Sequence, residues 1–346
     1  EEASQLSYAT NLTPYDSLIS KYDIDYDSVK IDKVFSIIDK EIIPKYKNIQ
    51  KIKSPFIYKS DISDTKIIKE IKIKLEQLNF DFDRGRIDQS HHPFCGGATN
   101  DVRITTRFEE NILESLSALF HETGHGVYEQ NRPIQYLYEP LGQSRSLSVH
   151  ESQSLFFENH IFKSQTYFKI INTIFDNSKD LEKSFLDHYH TIRINPIRVS
   201  ADEFSYPIHV FIRYQIEKEI FKNKIKFKDI KDLWNKKYLD HLEIDLNSDS
   251  EGVLQDIHWY EGIFGYFPTY ALGAMIASQI KYNCPLFDIF LKNPDEENIK
   301  QLIIWLNNNI HQKASLYSSD EMLQSISGEK LNSKYYLEHL VSRFVK

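Results

Sequence analysis

A mainly α-helical fold is expected for this chain on two observations. Apolar residues recur at helical spacing over long segments, as in Ile112, Leu113, Leu116, Leu119 and Phe120, and alternating strand patterns are few and short. The clearest strand is Val102 to Phe108, a β-branched run with Thr105 and Thr106 that follows the turn signal Gly96-Gly97. It precedes an apolar-periodic segment without proline from Asn111 to Asn131, which is read as a helix. The polar stretch Asn247-Ser248-Asp249-Ser250 reads as a loop within a domain. Residues 1–80 form a helical N-terminal portion that carries no chemical motif, and neither an internal repeat nor a low-complexity tract is present.

Composition narrows the function. With 41% hydrophobic and 27% charged residues the chain reads as an ordinary folded soluble protein. A net charge of −8, without a Lys/Arg block, argues against a nucleic-acid partner. Cys95 and Cys284 are too few and too far apart for a thiolate zinc site or a disulfide framework, so two free thiols in a reducing compartment are expected. No apolar stretch reaches the length of a membrane span and no leader is visible, which points to the cytoplasm and to no membrane partner. The chain opens Glu1-Glu2-Ala3 and not with Met, so the native N-terminus is left open.

The chemistry concentrates in His121-Glu122-Thr123-Gly124-His125. Residues four apart share one helix face, so His121 and His125 can turn ring nitrogens toward one ion about 2 Å away. Glu122 then sits beside the ion and takes a proton from water. The pattern arises by chance in roughly 3% of chains of this length, so the independently predicted helix is what gives it weight. A catalytic zinc usually keeps a third protein ligand and one open position. His150-Glu151-Ser152-Gln153 supplies it after the turn-rich stretch from Asn131 to Gly142, with Glu151 the preferred ligand and His150 or Glu158 the alternatives. One Zn2+ per chain is expected, with Co2+ as a substitute.

These residues resemble the carboxypeptidase Taq family of metallocarboxypeptidases. Five further segments carry the resemblance in the family's order: His92-Pro93-Phe94, Asp101-Val102-Arg103-Ile104-Thr105, His150-Glu151-Ser152-Gln153, Ile197 to Asp202, and Gly252 to Trp259. Similarity continues through Phe264 to Tyr270 and Gly328 to Tyr336, covering roughly residues 80–346. The resemblance implies a helical gluzincin-type metallopeptidase with a long substrate groove and a very small β-sheet near the zinc. It further implies one catalytic domain over 1–346, a homodimer, Glu151 as third ligand, and removal of single residues from peptide C-termini with broad specificity. Family members are longer, with the shortfall ahead of His92, so helices that roof the groove are expected to be reduced. A zinc oligoendopeptidase with an open groove, and a catalytically inactive, truncated, peptide-binding homologue, are the rival readings.

Recognition of a free carboxylate suits a guanidinium, and Arg198 is the first candidate, with an internal ion pair to Asp202 as its alternative. Arg103 is expected to pair with Asp101 and hold the sheet. Donors for the oxyanion of peptide hydrolysis are sought among His209, His258, Tyr266 and Tyr270. Gln255 and His258 are assigned to the substrate side, and Gln255 and Asp256 are also read as orienting ligands or the loop. Glu122 serves first as base toward water and then as acid toward the leaving amine.

Overall fold

The computed structural model describes residues 1–53, 57–91, 93–108 and 111–345. Helices dominate the described residues, and strands are confined to a three-stranded sheet and a two-residue pairing of Lys51–Ile52 with Ile192–Arg193. The chain divides into two compact units. Glu1–Pro55, Tyr189–Leu272 and Asn332–Lys346 make the first, and Phe56–His188 with Gly273–Leu331 makes the second. The stretch 247–250 lies inside the first unit as a polar loop. Cys95 and Cys284 carry free thiols.

In the first unit, the helix Tyr206–Phe221 carries Pro207 in its first turn, where the fixed φ of proline is tolerated. It buries Ile208, Ile212, Tyr214 and Ile216 among Phe35, Trp234 and Tyr238. Glu217 of this helix is fully buried, and its carboxylate accepts bonds from the Tyr15 hydroxyl (2.8 Å), Trp259 Nε1 (2.7 Å) and Gly265 N (3.0 Å). Burial pushes its carboxyl up to about 7. The three bonds tie the helix Pro14–Ile19 and the loop before Tyr266 to one point. At Gly265 φ is +86° and a Cβ would lie 2.8 Å from the Ile19 amide, so only glycine allows this approach.

In the second unit, the strand Asp101–Thr106 lies in the middle of the sheet, parallel to Gly85–Gln89 and antiparallel to Cys95–Ala98. The strand read from the sequence is thus present, shifted by a residue or two at its ends. Arg103 pairs with Asp101 at 2.8 Å, but both side chains are about half exposed, and such pairs contribute little. The sheet packs on the helix Ile112–Gln130, which is capped by Asn111, whose side chain accepts from Leu113 N, and stops three residues before Pro133. This helix buries Leu113, Leu116, Leu119, Phe120, Val127 and Tyr128. A second helix, Leu147–Leu155, begins at Ser146, whose hydroxyl accepts from Val149 N, and runs on into a π-helical turn, Phe156–Phe162. The two helices cross at Gly124, where an added Cβ would lie 2.4 Å from Gln153 O and 2.7 Å from Ser154 Cα.

That crossing generates a stability test. Alanine gains about 1 kcal/mol of helix propensity over glycine, but both contacts at Gly124 are with backbone and cannot yield by side-chain rotation. Gly124→Ala is therefore expected to lower the unfolding free energy by about 1 to 3 kcal/mol in urea titration. An unchanged midpoint and slope would contradict the close crossing.

Candidate metal centre

Three donor groups converge where the two helices cross. His121 and His125 lie one turn apart on Ile112–Gln130, and Glu151 faces them from Leu147–Leu155. Their ligand atoms all lie within 4.8 Å of one another. Glu151 Oε2 is 3.4 Å from His125 Nε2 and 3.7 Å from His121 Nε2. Donors held tetrahedrally about 2.1 Å from an ion stand about 3.4 Å apart, so the residues fit a zinc-sized cation. Glycines bring Glu151 there. Gly124 admits the crossing, and at Gly273 a Cβ would lie 2.8 Å from Glu151 Cβ and Cγ.

The far sides of both rings are occupied. His121 Nδ1 is 2.8 Å from Glu158 Oε2, and the other oxygen of Glu158 accepts from Lys163 Nζ (2.7 Å) and Ser117 Oγ (2.8 Å). His125 Nδ1 is 2.7 Å from His150 Nδ1, and His150 Nε2 is 2.8 Å from Glu129 Oε1. The alternatives to Glu151 thus stand behind the rings, as partners of the two histidines. Burial disfavours charge on His121, yet Glu151 and Glu158 outweigh it and hold the ring protonated well above its ordinary range. A field of this sign favours positive charge at the site. Burial resists ionisation of Glu158 as well, but Lys163 and His121 hold its carboxyl down to about 2.

Glu122 lies next to His121 on the same helix and interacts electrostatically with His121, Glu151 and Glu158. It is 8% exposed, accepts no hydrogen bond among the described residues, and is pushed up to about 7 by burial, with His121 opposing and Glu151 and Glu158 adding to the rise. The side chain therefore stands free to exchange a proton near neutral pH.

The remaining candidates gather in the first unit. Arg198 is buried, and its guanidinium meets Asp256 Oδ1 through Nε (3.0 Å) and Nη2 (2.8 Å) and the Tyr206 hydroxyl through Nη1 (3.0 Å). Its ion-pair partner is Asp256 and not Asp202, which instead accepts from the amides of Arg193, Phe204 and Ser205. Arg213 takes the other oxygen of Asp256 at 2.6 Å. Two guanidiniums share one carboxylate, so the cluster keeps one positive charge. His258 leaves it unchanged, because burial and then Arg198 lower its ring to about 4. Gln255 spends its oxygen on Arg198 N and Arg213 Nη2 and its amide on Pro196 O and Glu251 O, which makes it a clamp on the loop. His209 is fully buried against the Tyr238 hydroxyl (3.0 Å), which leaves it no surface for a substrate. His258 Nε2 is 3.1 Å from the Tyr270 hydroxyl, Tyr270 lies over the Arg198 guanidinium at 4.9 Å, and Tyr266 stands edge-on to Tyr22. His258, Tyr266 and Tyr270 all stay partly exposed.

Residues 1–344 match the carboxypeptidase Taq (M32) metallopeptidase family over nearly the whole chain. The chain belongs to that family. The match also takes in residues 1–80, so the family extends beyond the motif-bearing part. Carboxypeptidase 1 of Bacillus subtilis is 36% identical over 96% of this chain and 68% of its own length. Thermostable carboxypeptidase 1 of Pyrococcus furiosus is 30% identical over 96% of this chain and 69% of its own. The solved Trypanosoma cruzi metallocarboxypeptidase 1 superposes with a TM-score of 0.90 at 32% identity, covering 100% of this chain and 75% of that one. A quarter to a third of these relatives' own length thus lies outside the match. His92 of the first motif lies outside the described residues.

Spacing could have revealed Glu129, which continues the series 121, 125 along one helix face; Glu158, expected from the sequence as an alternative ligand, follows Glu151 by two turns and meets the back of His121 instead. Arg213, which shares Asp256 with Arg198, has no such local signal.

Asp256 supplies the test of this cluster. Burial opposes its charge, but Arg213 and Arg198 outweigh that and hold the carboxyl at about 2. A depressed folded-state pKa contributes stability above the unfolded value, about 4, and loses it as pH falls toward 2. Asp256→Asn is expected to destabilise the protein by about 2 kcal/mol at pH 7, with the difference from wild type shrinking below pH 4. Equal stability at pH 7 would contradict the shared pair.

Proposed function

We propose that this chain is a zinc metallocarboxypeptidase that removes single residues from peptide C-termini with broad specificity. The observation that carries the reading is the convergence of His121 Nε2, His125 Nε2 and Glu151 beside a Glu122 carboxylate free of hydrogen-bond partners among the described residues. His121, His125 and Glu151 hold one Zn2+ per chain, and Co2+ is accepted in its place. A zinc ion there would polarise a peptide carbonyl and acidify water.

The chain's own groups do the rest. Glu122 takes a proton from the attacking water and returns it to the nitrogen of the departing amine. Glu158 and His150 keep the two ligand rings oriented. The surplus positive charge of the Arg198, Arg213 and Asp256 cluster supports recognition of a free α-carboxylate, with His258, Tyr266 and Tyr270 offering the partly exposed donors. Arg198 acts in this from behind Tyr270, since part of its guanidinium is committed to Asp256.

Peptides are the partners on this reading, a homodimer is the form that the family resemblance supports, and the two free thiols support the cytoplasm as its compartment. Among the described residues no helix is long and apolar enough to cross a membrane.

The experiment compares catalytic efficiency on one peptide in free-acid and amidated forms. Losing the terminal charge is expected to cost about 2 to 5 kcal/mol, a slowing of roughly 30-fold to several thousandfold. Glu122→Gln should keep the zinc and lower turnover on the free acid by about a hundred- to ten-thousandfold. Equal cleavage of both peptides at internal bonds would replace this reading with an oligoendopeptidase. Stoichiometric zinc without hydrolysis of any peptide would replace it with a binding protein.

A further inference from the structure

The two histidines of the metal centre are supported differently. His121 meets a carboxylate directly, whereas His125 meets another imidazole, with Nδ1 atoms 2.7 Å apart. A contact that short between two ring nitrogens requires one hydrogen between them. A His125 ring that gives its Nε2 lone pair to an ion must carry its hydrogen on Nδ1, which makes His150 Nδ1 the acceptor. A His150 ring that accepts at Nδ1 carries its hydrogen on Nε2, 2.8 Å from Glu129 Oε1. The far oxygen of Glu129 receives Arg132 Nη2 at 2.6 Å. Arg132 is itself buried and anchored on Gly142 O (2.6 Å) and Thr99 Oγ1 (3.1 Å). Once the metal side of His125 is given, each hydrogen along the chain has one position.

We propose that His150 and Glu129 form a positioning relay that fixes the tautomer and ring orientation of His125 as a metal ligand. The proposal rests on the metal-centre reading above. It explains an arrangement that Glu129 alone does not account for. Glu129 lies on the same helix as His125, one turn along, and His150 carries its influence to the ring from the neighbouring helix. His150 also precedes Glu151, so the same contact that orients one ligand holds the backbone that presents another. Outer partners of ligating histidines typically change metal affinity by ten- to a hundredfold when removed.

The test measures zinc affinity by chelator competition for the wild-type chain, His150→Ala, His150→Asn and Glu129→Gln, alongside the thermal midpoint of each metal-free protein and the visible spectrum of each Co2+-loaded protein. His150→Ala is expected to bind zinc roughly ten- to a hundredfold more weakly. His150→Asn should recover part of that loss, because its Oδ1 can accept from His125 Nδ1. Glu129→Gln should weaken binding and shift the Co2+ bands while the metal-free midpoint stays close to wild type. Should His150→Ala not fold, the other two variants carry the comparison. Affinities within twofold of wild type in all variants, or a loss that follows the metal-free midpoint and is not relieved by His150→Asn, would overturn the relay alone. A wild-type chain that binds no zinc would overturn the metal centre and the relay together.

Discussion

The close crossing of Ile112–Gln130 and Leu147–Leu155 at Gly124 is the constraint on which the metal centre depends. One helix can present two histidines at i and i+4, but a third ligand must come from elsewhere in the chain. The approach that brings Glu151 within 3.4 Å of His125 Nε2 also drives the Gln153 carbonyl into the space that a Cβ at position 124 would fill. The glycine inside the motif is thus a packing requirement of the third ligand, and Gly273 serves the same end from the other side of Glu151.

Electrostatics follow from that packing. Glu122, Glu151 and Glu158 are brought close together, and Lys163 answers for only one of them. The residual negative field holds the His121 ring well above its ordinary range, and burial, with Glu151 and Glu158 adding to it, pushes Glu122 up to about 7. The cluster around Asp256 has the opposite balance, two guanidiniums against one carboxylate.

The legible parts of the sequence are those governed by local spacing. The helix from Asn111 to Asn131 and the strand near Val102 follow from periodicity and capping, and they appear within a residue or two of their expected ends. His121, His125 and Glu151 come together as the motif and the following helix imply. What local spacing misleads about is Arg198. Four residues separate it from Asp202, a spacing that pairs side chains on an α-helix, but Arg198 opens a three-residue 3₁₀ turn that ends at Ser200. Asp202 then lies beyond the turn and binds backbone amides, and Arg198 finds Asp256, 58 residues on. The partners of the ligand rings were hidden for a related reason. His150 and Glu158 read as alternative ligands because spacing reports which face a residue occupies, not which ring nitrogen it meets.

The most direct measurement is the position of zinc by anomalous X-ray scattering in crystals of the metal-loaded protein. The account predicts one peak per chain, about 2.0 to 2.2 Å from His121 Nε2, His125 Nε2 and a Glu151 oxygen, with Glu122, Glu158 and His150 outside bonding distance. A peak bound through Glu158 or His150, or the absence of any peak at the crossing of the two helices, would contradict it.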